Sequence, residues 1–203
     1  VDSDGSEQYT MVIKDLETGE HLSEAIPNSY YSLEWDNDSR TIFYDVLDEN
    51  HRPVKIYKHR LGDDPSADEL VYEEMDERFF VQVHRSASKR FIFVSSSGNN
   101  MSEWRFMEAG DPSSGLTLIQ PRHKDFEYDV ADHGDRFLIR SNADGARDFK
   151  VSETLIASPG SENWEDLVPH VPGRPISGIG VFQDYLVILY RAKGLPHLQI
   201  MDL

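Results

Sequence analysis

The sequence predicts an all-β fold, a β-propeller built from four-stranded antiparallel blades. Three observations lead to this prediction: a motif that recurs with a nearly constant period, short segments in which apolar and polar residues alternate, and turns rich in Gly, Asp, Asn, Ser and Pro. Four short strands in each repeat of about 40–50 residues are typical of propeller blades. No long segment with helical periodicity interrupts the pattern.

The recurring motif is a run of β-branched and aromatic residues that follows a polar turn. Such residues suit a pleated surface, and short polar side chains in the turn bond the nearby backbone. Ile42, Phe91, Phe137 and Leu186 occupy equivalent positions, so successive copies are 49, 46 and 49 residues apart. The four copies are RTIFYDV from Arg40, KRFIFVS from Lys89, DRFLIRS from Asp135 and DYLVILY from Asp184.

Three further series of short segments complete the repeat, and several of them alternate apolar and polar residues as a half-buried strand does. The strand that opens each repeat is predicted at 31–35, 79–83, 126–130 and 176–182. The strand that follows the motif begins at Tyr9, Val54, Glu103, Asp148 and His197. The outermost strand is predicted at 20–26, 68–72, 115–119 and 164–168.

Together these series divide the chain into blades. The predicted bounds are 1–29 for the end of one blade, 30–75, 76–122 and 123–172 for full blades, and 173–203 for an incomplete blade. An irregular β-sandwich is the competing fold, and the regular period argues against it. Because an open set of blades leaves sheet edges unpaired, we expect self-association through the exposed edges.

The composition limits the partners of the chain. Its 203 residues include 37 acidic and 20 basic side chains, a net charge of −17, and no cysteine. Nucleic acid is therefore not an expected partner, whereas a basic peptide or a basic domain would be attracted. The alternative is that the charge only keeps the protein in solution. Without cysteine, disulfides and thiol catalysis are excluded.

No apolar run of about 18 residues is present, so the sequence predicts no membrane-spanning helix. The first ten residues, VDSDGSEQYT, form neither a basic nor an apolar segment and do not resemble a secretory signal. Because the chain starts on a polar turn without Met, we expect it to be a piece of a longer protein.

The sequence contains none of the common catalytic or cofactor motifs. G-x-S-x-G, Walker and H-E-x-x-H patterns are all missing, so we assign no catalytic residue, no metal ligand and no cofactor. DSDG at 2–5 resembles the start of a calcium loop, but the later acidic ligands are missing and a turn is favoured. His51 and His59 flank one predicted strand and are expected at its exposed ends.

The densest charge cluster lies in the segment YEEMDERFF, residues 72–80, between the outermost strand of one blade and the opening strand of the next. We hypothesise that its acidic residues attract a cationic substrate or pair with a partner domain. The alternative is an ordinary solvated loop. The candidate residues are Glu73, Glu74, Asp76 and Glu77.

Several segments resemble one particular family in order and spacing along essentially the whole chain. They are DLETGE (15–20), HRLG (59–62), DELVYEEMDERFFVQVHRSASKRFIFV (68–94) and PRHKDFEYDVADHGDRFLIRSNADGARDFKV (121–151). The family is the prolyl oligopeptidase family of serine peptidases, and the segments resemble its trypsin-like branch, oligopeptidase B or protease II.

The resemblance implies a seven-bladed propeller that caps an α/β-hydrolase domain of the same chain. It also implies a cytoplasmic serine peptidase that cleaves short peptides after Arg or Lys, with a propeller that excludes folded proteins. The matched part would comprise fewer than five of the seven blades and none of the Ser–Asp–His triad. We therefore expect this segment to select substrates and exclude water, without activity of its own.

Two other functions remain open from the residues alone. A non-catalytic protein-interaction propeller of the WD type would carry recurring WD dipeptides, and the only one is Trp35–Asp36. A propeller glycosidase would need two facing carboxylates, which the many acidic residues do not exclude by number.

Overall fold

The computed structural model describes residues 1–2 and 5–203, so the DSDG segment falls partly outside the described residues. Sixteen strands occur in the described part of the chain, in four antiparallel sheets, with three 3₁₀ turns of three residues each. Strand makes up 54% and helix 4% of the structure, which confirms the all-β prediction. No helix among the described residues is long and apolar enough to cross a membrane.

The strands follow one another across each sheet in chain order. The first sheet contains β1 (Tyr9–Lys14), β2 (His21–Trp35), β3 (Thr41–Leu47), β4 (Pro53–Arg60) and β5 (Glu69–Glu73). The second contains β6 (Phe80–Arg85), β7 (Phe91–Ser97), β8 (Ser102–Glu108) and β9 (Thr117–Gln120). The third contains β10 (Tyr128–His133), β11 (Arg136–Ser141), β12 (Lys150–Leu155) and β13 (Glu165–Val168). The fourth contains β14 (Ile176–Val181), β15 (Tyr185–Ala192) and β16 (Leu195–Asp202).

One strand differs from the sequence prediction. The segments predicted as separate strands at 20–26 and 31–35 belong to a single 15-residue strand, β2. Its first half pairs with β1 and its second half pairs with β3. Asn28, with φ of 59°, lies near the change of partner. A single residue in the left-handed region disturbs the strand locally but does not reverse the direction of the chain. The strand β2 therefore continues past Asn28.

The recurring motif forms the third strand of the first sheet and the second strand of each other sheet, and this interior position explains its composition. In β3 the residues Thr41–Asp45 are all buried, and in β7 the residues Phe91–Ser96 are. A strand in the interior of its sheet with both faces covered is expected to be apolar almost without alternation. The four equivalent positions, Ile42, Phe91, Phe137 and Leu186, are at most 2% exposed.

The chain divides into two compact units, each with its own core. The first unit comprises residues 1–85, 89–98 and 106–117, and the second comprises 86–88, 99–105 and 118–203. The first core contains Phe43, Ile56, Val81, Val83, Ile92, Val94 and Met107. The second core contains Leu138, Val151, Ile176, Leu186 and Ile188.

Candidate functional site

The four acidic residues singled out by the sequence lie at the end of β5 and on the connection to β6, but their environments differ. Glu74 is buried, at 7% exposure. Its carboxylate accepts hydrogen bonds from the Ser96 hydroxyl at 2.5 Å, the Tyr72 hydroxyl at 3.2 Å and the Asp76 backbone N–H at 2.9 Å. Because a buried carboxylate needs such partners, Glu74 holds the connection in place.

The other three carboxylates face basic side chains. Glu73 lies 3.2 Å from the Lys55 ammonium. Asp76 accepts from both Nε and Nη2 of Arg78, at 2.9 and 2.6 Å. The Lys55–Glu73 pair, in which each side chain is about a third exposed, is of a kind that contributes at most about 1 kcal/mol, so a charged ligand can exchange with it.

Glu77 is the most accessible of the four, with 83% of its side chain exposed. Its carboxylate is 3.9 Å from Arg52 Nη1, whereas the same guanidinium lies 2.5 Å from Asp48. The backbone carbonyl of Glu77 accepts a hydrogen bond from Arg52 at 2.6 Å. Its backbone is therefore fixed while its charge faces solvent. Contact of the four acids with a substrate or partner domain stays a prediction.

His59 lies near the end of β4 in a buried polar cluster. The prediction of an exposed strand end is wrong, because His59 is 0% exposed. Its Nδ1 lies 2.7 Å from Asp68 Oδ1, and its Nε2 lies 3.4 Å from Glu24 Oε2. Tyr44 donates its hydroxyl to the other oxygen of Asp68 at 2.7 Å, and burial together with this hydrogen bond raises the pKa of Tyr44. His51 is exposed, as predicted.

A second buried carboxylate, Asp45, lies on β3 and was not identified from the sequence. Its Oδ1 accepts from the Ser32 backbone N–H at 3.1 Å, and the Ser32 hydroxyl accepts from the Val83 N–H at 3.1 Å. Burial raises the pKa of Asp45 to about 6, against the opposing effect of its hydrogen bonds. The motif strand FYDV contains this Asp amid apolar residues, which is the signal that could have identified it.

In the second unit, Arg140 on β11 contacts both the opening strand of its own sheet, β10, and the opening strand of the next sheet, β14. Its Nη2 lies 2.8 Å from Asp129 Oδ2, and its Nη1 donates to the Ile176 carbonyl at 3.0 Å. The guanidinium also lies over the Phe149 ring, 4.1 Å from the centroid. Burial raises the pKa of Asp129, while Arg140 acts in the opposite direction. These contacts stabilise the packing between neighbouring strands. They do not position a reactive group.

One Ser–His pair is close enough to resemble a nucleophile with its base. His84 Nε2 lies 2.9 Å from Ser95 Oγ. Ser95 is only 3% exposed, so its hydroxyl lies in the interior of the sheet rather than on its surface. Burial lowers the pKa of His84. Among the described residues, no group of three or more His, Cys, Asp or Glu side chains is arranged to hold a metal ion.

The comparison with protein families covers the whole chain. The profile described as "Prolyl oligopeptidase, N-terminal beta-propeller domain" matches residues 1–203. Dipeptidyl aminopeptidase BI of Pseudoxanthomonas mexicana is 38% identical over 98% of this chain and 28% of the relative. Protease 2 of Moraxella lacunata is 36% identical over 98% of this chain and 29% of the relative. The chain thus spans less than a third of the length of these relatives.

Solved structures show the same similarity. Oligopeptidase B from Leishmania major superimposes with a TM-score of 0.94 at 26% identity, covering 99% of this chain and 28% of that one. Oligopeptidase B from Trypanosoma brucei gives a TM-score of 0.86 at 25% identity over 90% of this chain and 26% of that one. The consecutive antiparallel sheets therefore define a β-propeller, as the sequence predicted. The chain belongs to the prolyl oligopeptidase family, in which it matches the N-terminal β-propeller domain.

Proposed function

We propose that this propeller segment belongs to a serine oligopeptidase that cleaves short peptides after Arg or Lys, and that it restricts access to a catalytic α/β-hydrolase domain of the same chain. The observation that carries the proposal is the 36% identity to Protease 2 over 98% of this chain, with the TM-score of 0.94 to oligopeptidase B in support. We place the protein in the cytoplasm as part of the same proposal.

The charge of the chain supports selection of basic peptides. Its net charge of −17 attracts cations, because the electrostatic field of all the charges together reaches farther than any single contact. Glu77 offers an accessible carboxylate on the connection between β5 and β6, and the partly exposed Lys55–Glu73 pair is of the exchangeable kind. In this role the propeller selects and shields the substrate, while bond cleavage takes place on the hydrolase domain.

A second candidate activity is favoured by the 38% identity to a dipeptidyl aminopeptidase. Such an enzyme would release dipeptides from a free amino terminus instead of cleaving within a peptide. A propeller would then restrict the length of the substrate in the same way. The two activities differ in whether the substrate needs a free α-amino group.

Two reporter substrates distinguish these activities in the full-length protein. One is an amino-blocked Arg-Arg amide, and the other is a dipeptide amide with a free amino terminus and a neutral second residue. We expect the blocked basic substrate to be hydrolysed with the higher kcat/KM. Hydrolysis of the free-amino substrate alone would favour the dipeptidyl activity, and hydrolysis of neither would favour a protein-interaction propeller.

A further inference from the structure

A cavity in the second unit lies between turns of three successive sheets. Its volume is about 750 Å³, and its lining includes residues at the ends of β10 and β14. None of the residues that line it is Lys or Arg. We call it the Asp132 cavity. Its lining includes Ser88, Asp132, His133, Gly180, Val181 and Phe182.

The carboxylate of Asp132 supplies the negative charge of the cavity. Asp132 is only 5% exposed, and its Oδ2 accepts a hydrogen bond from the Ser88 hydroxyl at 2.6 Å. Its Oδ1 has no hydrogen-bond partner among the described residues. A buried carboxylate oxygen without a donor is costly, and native proteins rarely leave one so. A donor from outside the described residues would remove this cost.

Another part of the lining of the Asp132 cavity is apolar and aromatic. Phe182 is 61% exposed beside Val181. Gly180 contributes no side chain, and a Cβ at this position would meet the Phe182 ring at 3.6 Å, an ordinary contact distance. An aromatic face attracts cations as well as apolar groups. The absent side chain at Gly180 thus leaves space for a ligand beside the ring.

A hydrogen bond links the part of the lining that contains Asp132 to the turn that contains Phe182. His133, next to Asp132, donates its Nε2–H to the Gln183 carbonyl at 2.9 Å. Gln183 follows Phe182 directly in the chain, so the bond fixes the aromatic turn relative to the carboxylate. The arrangement presents one anionic acceptor and one aromatic face within a single recess.

We propose that the Asp132 cavity binds a cationic group on an apolar stem, a guanidinium or ammonium of the kind that an Arg or Lys side chain carries. The cation donates to Asp132 Oδ1, and the stem packs against Phe182 and Val181. The site shares no residue with the acidic connection after β5, and it does not depend on the proposed cleavage after Arg or Lys.

The test is calorimetric titration of the full-length protein with n-butylguanidinium and with its neutral analogue n-butylurea. We expect butylguanidinium to bind with a stoichiometry one site greater in the wild type than in Asp132→Asn, and butylurea to bind this site at least about tenfold more weakly. Asp184→Asn is the matched control, since it removes an exposed charge near the cavity without lining it. Its affinity should equal that of the wild type.

Gly180→Val provides a second variant, which occupies the space beside the Phe182 ring and leaves Asp132 in place. It should also lose the site, with melting temperature measured for every variant to verify folding. Hydrolysis of the basic reporter substrate reports the proposed peptidase activity separately and should be unchanged in Asp132→Asn. The proposal is overturned if butylguanidinium does not bind this site, if butylurea binds it equally, if Gly180→Val retains it, or if Asp184→Asn also loses it.

Discussion

His59 Nδ1 lies 2.7 Å from Asp68 Oδ1 in a fully buried position, where Asp68 also accepts the Tyr44 hydroxyl. The contact joins β4 to the 3₁₀ turn that precedes β5, so it fixes the outer part of the first sheet. On its other side the ring faces Glu24 of β2 at 3.4 Å. One imidazole therefore connects three elements of the sheet through polar contacts.

Asp68→Ala should destabilise the protein by about 3 kcal/mol. The substitution leaves a buried imidazole nitrogen and the Tyr44 hydroxyl without their acceptor, and breaking a buried polar pair from one side is strongly destabilising. Urea unfolding followed by tryptophan fluorescence measures the change. His51→Asn is the control, because His51 is exposed and has φ of 58°, a conformation that Asn tolerates. A loss below about 0.5 kcal/mol in Asp68→Ala would contradict this role.

Asp45 predicts a pH dependence of stability. Its folded-state pKa of about 6 lies above the ordinary 3.8, so between these values the folded protein binds a proton that the unfolded chain does not. The contribution of Asp45 to stability is therefore lost as pH rises from about 4 to about 6. Asp45→Asn should be more stable than the wild type at pH 7 by up to about 3 kcal/mol, with the difference vanishing below pH 4.

Denaturant unfolding of both proteins at pH 4, 5, 6 and 7 checks the Asp45 prediction. The native fold must be verified at each pH by near-UV circular dichroism. Asp63→Asn, in an exposed turn, serves as the control and should show a constant difference from the wild type. A difference between wild type and Asp45→Asn that does not vary across this pH range would show that Asp45 is charged throughout.

The fold was predictable because each blade repeats the same physical requirement. Phe91 and Phe137 lie in strands covered on both faces, so the apolar motif and its period are visible in the sequence. The position of His59 was not predictable, because burial of a histidine depends on carboxylates from β2 and from the turn before β5. The environment of Asp132 was not predictable for the same reason, because it includes Ser88 and the Phe182 turn, which are distant from Asp132 in sequence.

The acidic connection predicts different outcomes for its members. Glu77→Gln should lower kcat/KM for a dibasic peptide by about two- to fivefold at low salt, since its carboxylate is exposed, and the effect should shrink as salt screens the charge. Glu74→Gln should instead reduce stability, because this side chain is buried in hydrogen bonds. Steady-state kinetics at 20 and 200 mM salt, with a neutral peptide and Glu17→Gln as controls, check the Glu77 prediction, and urea unfolding checks the Glu74 prediction. Equal losses on the neutral peptide would favour the solvated-loop interpretation.

The last sheet predicts self-association of a chain limited to these 203 residues. Tyr185, Leu189, Leu198 and Ile200 lie on one face of β15 and β16 according to their register, and each is 45% exposed or more. Exposed apolar surface costs roughly 25 cal/mol per Å², so pairing two copies through this face is favourable, and a two-fold dimer is the commonest closed arrangement. Sedimentation of this 203-residue chain should show a dimer whose dissociation constant rises at least tenfold in Leu198→Thr/Ile200→Thr. Leu16→Ser, at a 91% exposed position in the turn between β1 and β2, should leave the dimer unchanged. A monomer at high protein concentration would refute the prediction, because an apolar face of this extent would then be stable in water without a partner.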